Sequence, residues 1–468
     1  MNKRILSIDV LRGLTIFLMV LSASLVWNAN LPAYMFHCQV GPPSFAFNPD
    51  IKGITWVDLV FPWFIFTMGA SMPFSLGRKL EKGVPVWKVS LGVVKRWLTL
   101  AAFGLVLGNA DLIGGNVALP QIAVRIGIWL ALFVALVRVK DGARIKGWAV
   151  NLAGLVMLAV MLLVEKFAFN VQFSFGQNNV IIMILSALAL LGGFIWLLTR
   201  RSMIARFIIL LAVCAVKEVD WQWHCLGMLE LPGAISWLFN WGYAQYLVIT
   251  IVGMSVGDLL KKANSDNAAL CANAGNWKTV TGAILCALLT PAMLWALYTR
   301  HIWAALDITA LSAMCFVLLL TREDRTVWTK IARMGFALLA LGIVFDPIDG
   351  GITKDYCNLS YMLTTSGLAC LMTAFLLWGE TLSGQRGRQM CKGLAMTGQN
   401  PMIAYTISGF IILPLLNLIM SIIPGGSEWL TNLTAGRPLA GLLYGIFLTC
   451  LMMLATNFFT AKKLFWRS

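Results

Sequence analysis

The sequence predicts an all-α, polytopic transmembrane bundle of about 14 spans (range roughly 10–14), with N- and C-termini cytoplasmic. Three observations carry this. The chain of 468 residues is 59% hydrophobic and 12% charged, with mean hydropathy +0.80. Soluble domains are closer to half apolar and a quarter charged. Apolar runs of roughly 20 residues recur along the whole length. The basic residues fall in short clusters between those runs, on alternate sides. No polar stretch is long enough to bury a soluble core, so residues 1–468 are expected to form one integral domain.

The first span, 10–30, follows a basic start and has no small-residue cleavage site, so it is expected to stay attached. Further spans are predicted at 55–77, 93–110, 120–138, 147–164, 179–198, 203–216 and 242–261. The remainder follow at 279–298, 304–321, 332–346, 357–378, 400–423 and 437–459. Two of these, 203–216 and 332–346, are short for the hydrocarbon core of a bilayer. The segment 262–278, KANSDNAALCANAGNWK, reads as a polar linker.

Charge gives the orientation. With the N-terminus inside, the outer connections hold Lys52, Lys166, Lys217, Arg300, Lys354 and Arg437, and Arg125 lies in the fourth span near the outer side. The other 29 of the 36 Lys and Arg fall inside, the positive-inside asymmetry. His37, His224 and His301, the three histidines, all land on the outer side. A net charge of +16 arranged this way argues for a bilayer, and against nucleic acid, which calls for an extended aromatic-basic stripe.

The most informative stretch is 50–77, DIKGITWVDLVFPWFIFTMGASMPFSLG. It places Asp58 inside an apolar run, where a bare carboxylate costs roughly 2.5–3.5 kcal/mol on insertion scales and so requires a partner. Pro62, one turn on, is expected to loosen the backbone ladder at that point. His37 precedes this stretch, and an imidazole near such a carboxylate suits proton transfer at neutral pH. A lone loop histidine with no chemical task is the competing reading. His224 and His301 sit in aromatic settings that suit interface anchors.

Other polar residues leave two readings open. Asp9 and Arg12 share a helix face and either pair locally or present Arg12 to a phosphate or carboxylate. Arg125 either neutralises Asp58 or binds substrate. Lys354 either pairs with Asp355 or holds an acidic ligand. Asn400 and Pro401 fit a helix start, as N-cap and first helical residue. Most of the ten cysteines lie in apolar runs as small core residues; Cys38, Cys225 and Cys357 fall in outer loops, with pairing left open. There is no CxxC pair, zinc-like spacing, HExxH, GxSxG or Walker loop, so hydrolase, ATPase and metal readings have no motif behind them. No clear internal repeat supports an inverted-repeat transporter.

Six landmarks occur in a telling order: SIDVLRG, GITWVDLVFPWFIFTMGASMPFSL, the Arg125 segment, TKDYCNLSYMLTTSG, GQNPMIAY and the terminal KKLFWRS. Together they resemble the heparan-α-glucosaminide N-acetyltransferase family, and DLVFPWFIFTMG is the specific one. The resemblance implies an integral membrane acetyltransferase that takes acetyl from cytosolic acetyl-CoA and delivers it to an amino sugar on the far side. It implies that His37 is the catalytic histidine, and Lys354 and Asn400 match family positions. Two departures stand out: the His37–Asp58 separation is about twice that in the lysosomal enzyme, and the first span reads LSASL around Ser22–Ser24 where that enzyme has an active-site asparagine. The family core needs about ten helices, leaving extra ones within 179–330.

The resulting expectation is a multi-pass acyltransferase of the bacterial inner membrane. Catalysis falls to His37, as general base or acetyl carrier, with Asp58 orienting it and Asn400 steadying the oxyanion. Arg125, Lys354 and Trp63 are the candidate acceptor-binding residues, and Arg12, Lys79 and Arg96 the candidate donor-binding ones. Acetyl-CoA is the co-substrate, with no metal; the partners are an amino-sugar or glycan acceptor and the bilayer, with a homodimer plausible from the resemblance. The alternative is a transporter or flippase for a sugar or lipid-linked sugar, using Asp58, Arg125 and Lys354 as its path.

Overall fold

The computed structural model describes residues 5–110, 119–138, 146–223, 231, 233, 235–266, 268–271, 273–320 and 326–466. Helices dominate them: α1 (Leu6–Ser24), α2 (Trp56–Glu81), α3 (Val86–Ala110), α4 (Leu119–Leu136), α5 (Gly147–Phe169) and α6 (Val180–Thr199) come first. Next are α7 (Met203–Trp223), α8 (Leu247–Ser265), α9 (Trp277–Tyr298), α10 (Ile302–Leu319), α11 (Val327–Phe345) and α12 (Leu359–Met390). The chain finishes with α13 (Lys392–Gln399), α14 (Pro401–Ile407), α15 (Leu413–Ile422), α16 (Gly426–Thr434) and α17 (Pro438–Ala461). No named strand forms among the described residues; one isolated bridge joins Val137 to Trp466.

The expected spans fall on helices, although α1 ends at Ser24, short of the expected residue 30, and among the described residues 13 helical segments are long and apolar enough to cross a membrane. The segment α7 is the exception: it runs well past 216, and Arg206, Lys217, Glu218 and Asp220 make it too polar. One turn of π-helix, Ser408–Ile412, joins α14 and α15 into a single span. The expected span at 332–346 begins earlier, at Val327, which gives it full length. In α12 the helix breaks at Gly384 (φ 53°), well beyond the expected end of that span. The short helices α13 and α16 fill connections read as loops from the sequence.

Packing places α2 at the centre, against α1, α8 and α12. Small residues allow the close approach to α8: Gly253 and Gly257, four apart, meet the backbone of Phe66 and Ala70, where an added Cβ would collide. Helices in lipid gain little from apolar burial against one another, so such backbone contact is what locks them together. One apolar cluster runs continuously from α1 to α17, and a second joins Leu21 of α1 to Leu25, Ala29, Leu31 and Phe36 of the 25–55 loop.

The start of α2 follows from its own residues. Thr55 is the N-cap and Asp58 the third helical residue, and they form a reciprocal capping box. Four residues after Asp58, Pro62 has no N–H to give to the Asp58 carbonyl. The Tyr361 hydroxyl of α12 donates to that oxygen instead, at 2.6 Å. The local loosening expected from Pro62 is thereby taken up by a tertiary bond.

Candidate active site at the ends of helix α2

At the N-terminal end of α2, the 25–55 loop folds back so that His37 meets Asp58. Phe36 of this loop is buried, and its carbonyl accepts from the Thr55 hydroxyl at 2.7 Å. Buried Gln39 donates to Ile51 O at 3.1 Å, closing the loop on itself. His37 Nδ1 then lies 2.7 Å from Asp58 Oδ1. The Asp58 side chain is fully buried, while that of His37 is 36% exposed.

The two oxygens of Asp58 have separate tasks. Oδ2 accepts from the Thr55 N–H at 2.9 Å and the Cys38 N–H at 3.3 Å, which holds the helix start and the loop. Oδ1 takes His37. A carboxylate only accepts, so His37 Nδ1 is the donor in this contact, and in the neutral ring this leaves Nε2 as the nitrogen with a lone pair. Lys354 Nζ lies 3.2 Å from the same Nδ1 and 3.9 Å from Oδ1. With the Nδ1 proton given to Asp58, the lysine contact is one of charge and not a second hydrogen bond. The buried carboxylate thus has a cation and an imidazole beside it, the partners its setting demands. Burial, with the Asp58 charge added and only partly offset by Arg300, pushes the neighbouring Cys38 thiol up to about 12.

Lys354 is delivered by a second rigid loop, 346–358. Arg300 grips Asp346 in a two-pronged contact at 2.9 and 2.8 Å, and Asp346 Oδ1 also accepts from Ile352 N–H at 2.7 Å. Asn358 caps α12 and donates to Gly351 O at 2.8 Å. The two loops join through Gly53 N–H, which donates to Ile352 O at 2.8 Å.

Further along α2 lies a pocket of about 450 Å³, lined by α1, α2, α3, α6, the start of α14 and Trp466. Its volume falls within the ~300–1,000 Å³ typical of ligand sites. Arg12, Lys79 and Arg96 all line it, so the three candidate donor-binding residues come together. Arg96 Nε is buried with no hydrogen-bond partner among the described residues. Arg12 is also structural: it donates to Thr67 O at 2.9 Å, Gly398 O at 3.3 Å and the Ser71 hydroxyl, with Asp9 at 3.9 Å. The local-pairing reading of Arg12 is thus met by these contacts, and the side chain also lines the pocket. On α2 the pocket runs from Phe64 to Lys79. At 1.5 Å per residue its upper rim is roughly 9 Å, and its basic end roughly 30 Å, from Asp58 along the axis.

The remaining candidates are dispersed. Asn400 is fully buried: Nδ2 donates to Leu464 O at 2.8 Å and Oδ1 accepts from Trp466 N–H at 3.2 Å. It sits beside Gly398 at the level of Arg12, where it holds Trp466 in the pocket wall. Trp63 is buried, with its Nε1 lacking a partner among the described residues. Arg125 lies 5.9 Å from the Phe410 ring centroid, within the π-helical turn, and acts electrostatically on Glu165 of α5. Among the described residues, no hydrogen bond or ion pair links Arg125 to Asp58 or Lys354. His301 stacks on Trp295 with ring centroids 5.5 Å apart. His224 and Cys225 lie outside the described residues, and Cys38 and Cys357 are free thiols.

Sequence reasoning missed Thr55, Tyr361 and the Arg300–Asp346 pair. The T-x-x-D spacing of Thr55 and Asp58 is a readable capping box. Nothing local marks the other three, whose partners are 46 and 303 residues away. Among the described residues, no group of three or more His, Cys, Asp or Glu is arranged to hold a metal ion.

Fold and site together define a multi-span membrane protein with an imidazole–carboxylate pair at one end of a buried helix and a basic pocket toward the other. A family model described as a domain of unknown function (DUF5009) matches residues 4–260, more than half of the chain. The chain belongs to that family. It is also 28% identical over 130 residues to heparan-alpha-glucosaminide N-acetyltransferase of Homo sapiens, and 29% identical over 131 residues to the Mus musculus protein of that name. Each match covers 27% of this chain and 18% of the relative, so the chain matches under a fifth of the length of these curated relatives.

Proposed function

We propose that the chain is a membrane-embedded acyltransferase, one integral domain, that moves acetyl from acetyl-CoA to an amino-sugar or glycan acceptor. The observation that carries this reading is His37, its Nδ1 committed to a buried carboxylate and its side chain partly open, on the helix that also lines the basic pocket. The similarity to two N-acetyltransferases supports the same chemistry.

In this mechanism the CoA phosphates sit among Arg12, Lys79 and Arg96, and the pantetheine arm extends along α2 toward His37. His37 Nε2 takes a proton from the acceptor amine or hydroxyl as it attacks the thioester carbonyl. The C–S bond breaks, the new C–N or C–O bond is complete, and the CoA thiolate leaves and takes up a proton. Asp58 fixes the tautomer of His37, as an orienting carboxylate does for a catalytic imidazole. In this reading Lys354, beside His37, meets the acceptor, Trp63 and Arg125 remain further candidates for it, and Asn400 maintains the donor pocket through Trp466. With the positive-inside orientation, the basic pocket faces the cytoplasm of a bacterial inner membrane and His37 faces out.

The test is direct. Purified full-length protein given acetyl-CoA and glucosamine should release free CoA thiol, and His37→Ala should abolish release while the protein stays folded. A wild-type protein that neither binds acetyl-CoA nor releases CoA with any amino-sugar or glycan acceptor sinks the reading in favour of a transporter.

A further inference from the structure

A second cleft, of about 240 Å³, lies between α6, α7 and the start of α8. Its walls are Leu191, Ile209, Val213, Val216, Trp241 and Leu247, almost wholly hydrocarbon. A dry apolar cavity of ~150 Å³ already accommodates benzene, so this one has room for a stretch of hydrocarbon chain. It opens outward from the bundle, since Val216 in its wall is 47% exposed.

One end of the cleft is polar and leads to the reaction centre. Buried Lys217 donates from Nζ to Gln245 Oε1 at 2.9 Å and to Tyr356 O at 3.3 Å. Tyr356 is two residues from Lys354, whose ammonium touches His37. The 3₁₀ turn Trp241–Tyr246 forms the shared wall: Trp241 and Gln245 face the cleft, and Tyr246 meets Phe61 of α2 edge-on at 5.4 Å. Glu218 and Asp349 also act electrostatically on Lys217, so its charge is partly balanced where it stands.

We infer that this cleft holds the hydrocarbon chain of a lipid-anchored acceptor, an amino sugar on an alkyl or isoprenoid phosphate. Its chain lies between α6, α7 and α8, its phosphate near Lys217, and its sugar at His37. An amphiphile is the occupant that matches an apolar slot with a cation at the end nearest the reaction centre. The identity of the sugar rests on the proposed function; the occupancy of the cleft does not.

The experiment uses full-length protein and a glucosamine phosphodiester carrying a ten-carbon chain with a terminal diazirine. On irradiation it should label α7 and the 241–247 segment, an excess of the same compound without the diazirine should compete, and Val213→Trp should block labelling. In CoA release, KM for the alkyl-linked glucosamine should be at least about tenfold below that for free glucosamine, because each buried methylene favours binding. Val213→Trp should erase that difference while leaving turnover of free glucosamine unchanged. Labelling elsewhere overturns the inference, as does labelling that the acceptor fails to compete, which marks a bilayer lipid only. Equal KM values for the two acceptors overturn it as well. Competed labelling without any CoA release leaves the cleft occupied and removes the acyltransferase; release from free glucosamine without labelling does the reverse.

Discussion

The hydroxyl of Tyr361 donates to the backbone carbonyl of Asp58 at 2.6 Å, filling the acceptor that Pro62 leaves vacant four residues on. A proline in the first turns of α2 and a tyrosine on α12 are thus one device, fixing the helix backbone that carries the buried carboxylate.

Tyr361→Phe should therefore cost about 1–3 kcal/mol of stability, the penalty of a buried carbonyl left unpaired. In a Pro62→Ala background the loss should shrink, because residue 62 regains an N–H for the same oxygen. Thermal unfolding of the four proteins in detergent gives the coupling; equal losses in both backgrounds contradict this account.

The division of labour within Asp58 separates two substitutions. Asp58→Ala removes the capping oxygen and the His37 acceptor, and should lose about 1 kcal/mol from the cap alone. Asp58→Asn keeps one oxygen for Thr55 and turns the other position into a donor that cannot accept from Nδ1. It should stay closer to wild type in stability yet lose at least about 10²-fold in acetyl transfer. Comparable activity in Asp58→Asn and wild type would remove the orienting role.

Cys38 offers a chemical check on the same pair. Burial and the Asp58 charge push its thiol up to about 12, so it should resist maleimide at neutral pH. That silence makes position 37 addressable: His37→Cys, in intact cells, should react with a membrane-impermeant maleimide from outside. Reaction only after the inner face is opened would reverse the assigned orientation.

Asp349 gives a pH dependence. It is half-buried, which raises its pKa, with the neighbouring Asp346 adding to this; the Ser360 bonds and Lys217 work against the rise. The folded state thus holds this proton more tightly than the unfolded chain does. Its contribution favours folding at acid pH and is lost as pH rises from the ordinary carboxylate range through the raised value. Asp349→Asn, which can still accept from Ser360 N–H, should match wild type at low pH and exceed its stability at pH 7. A stability difference independent of pH would refute this assignment.

Much of the architecture was legible because helices in lipid declare themselves through apolar length and basic flanks. Even so, α7 shows the limit: Arg206 and Lys217 are hidden by an ion pair with Asp258 and by Gln245 and Tyr356, partners that hydropathy does not see. The cost of a bare intramembrane carboxylate called for a partner to Asp58 and left Arg125 open; His37 was singled out by its nearness in sequence and the family resemblance, and Arg12, Lys79 and Arg96 by their common basic face. Asn400 was read correctly as lying just before a helix starting at Pro401, but its tie to Leu464 and Trp466 depends on a tail 64 residues away. Arg125 found Phe410 and Glu165, which no spacing rule connects to it.

The length of α2 has an electrical consequence. With transfer as proposed, the acceptor's proton leaves through His37 on one side; the thiolate forms beside His37 and, on withdrawing with its coenzyme to the basic end roughly 30 Å away, takes up its proton there. Each turnover then carries one net charge across the bilayer, worth about 2.3 kcal/mol per 100 mV. A reaction with no ion as substrate would run faster or slower with the voltage of the membrane that holds it.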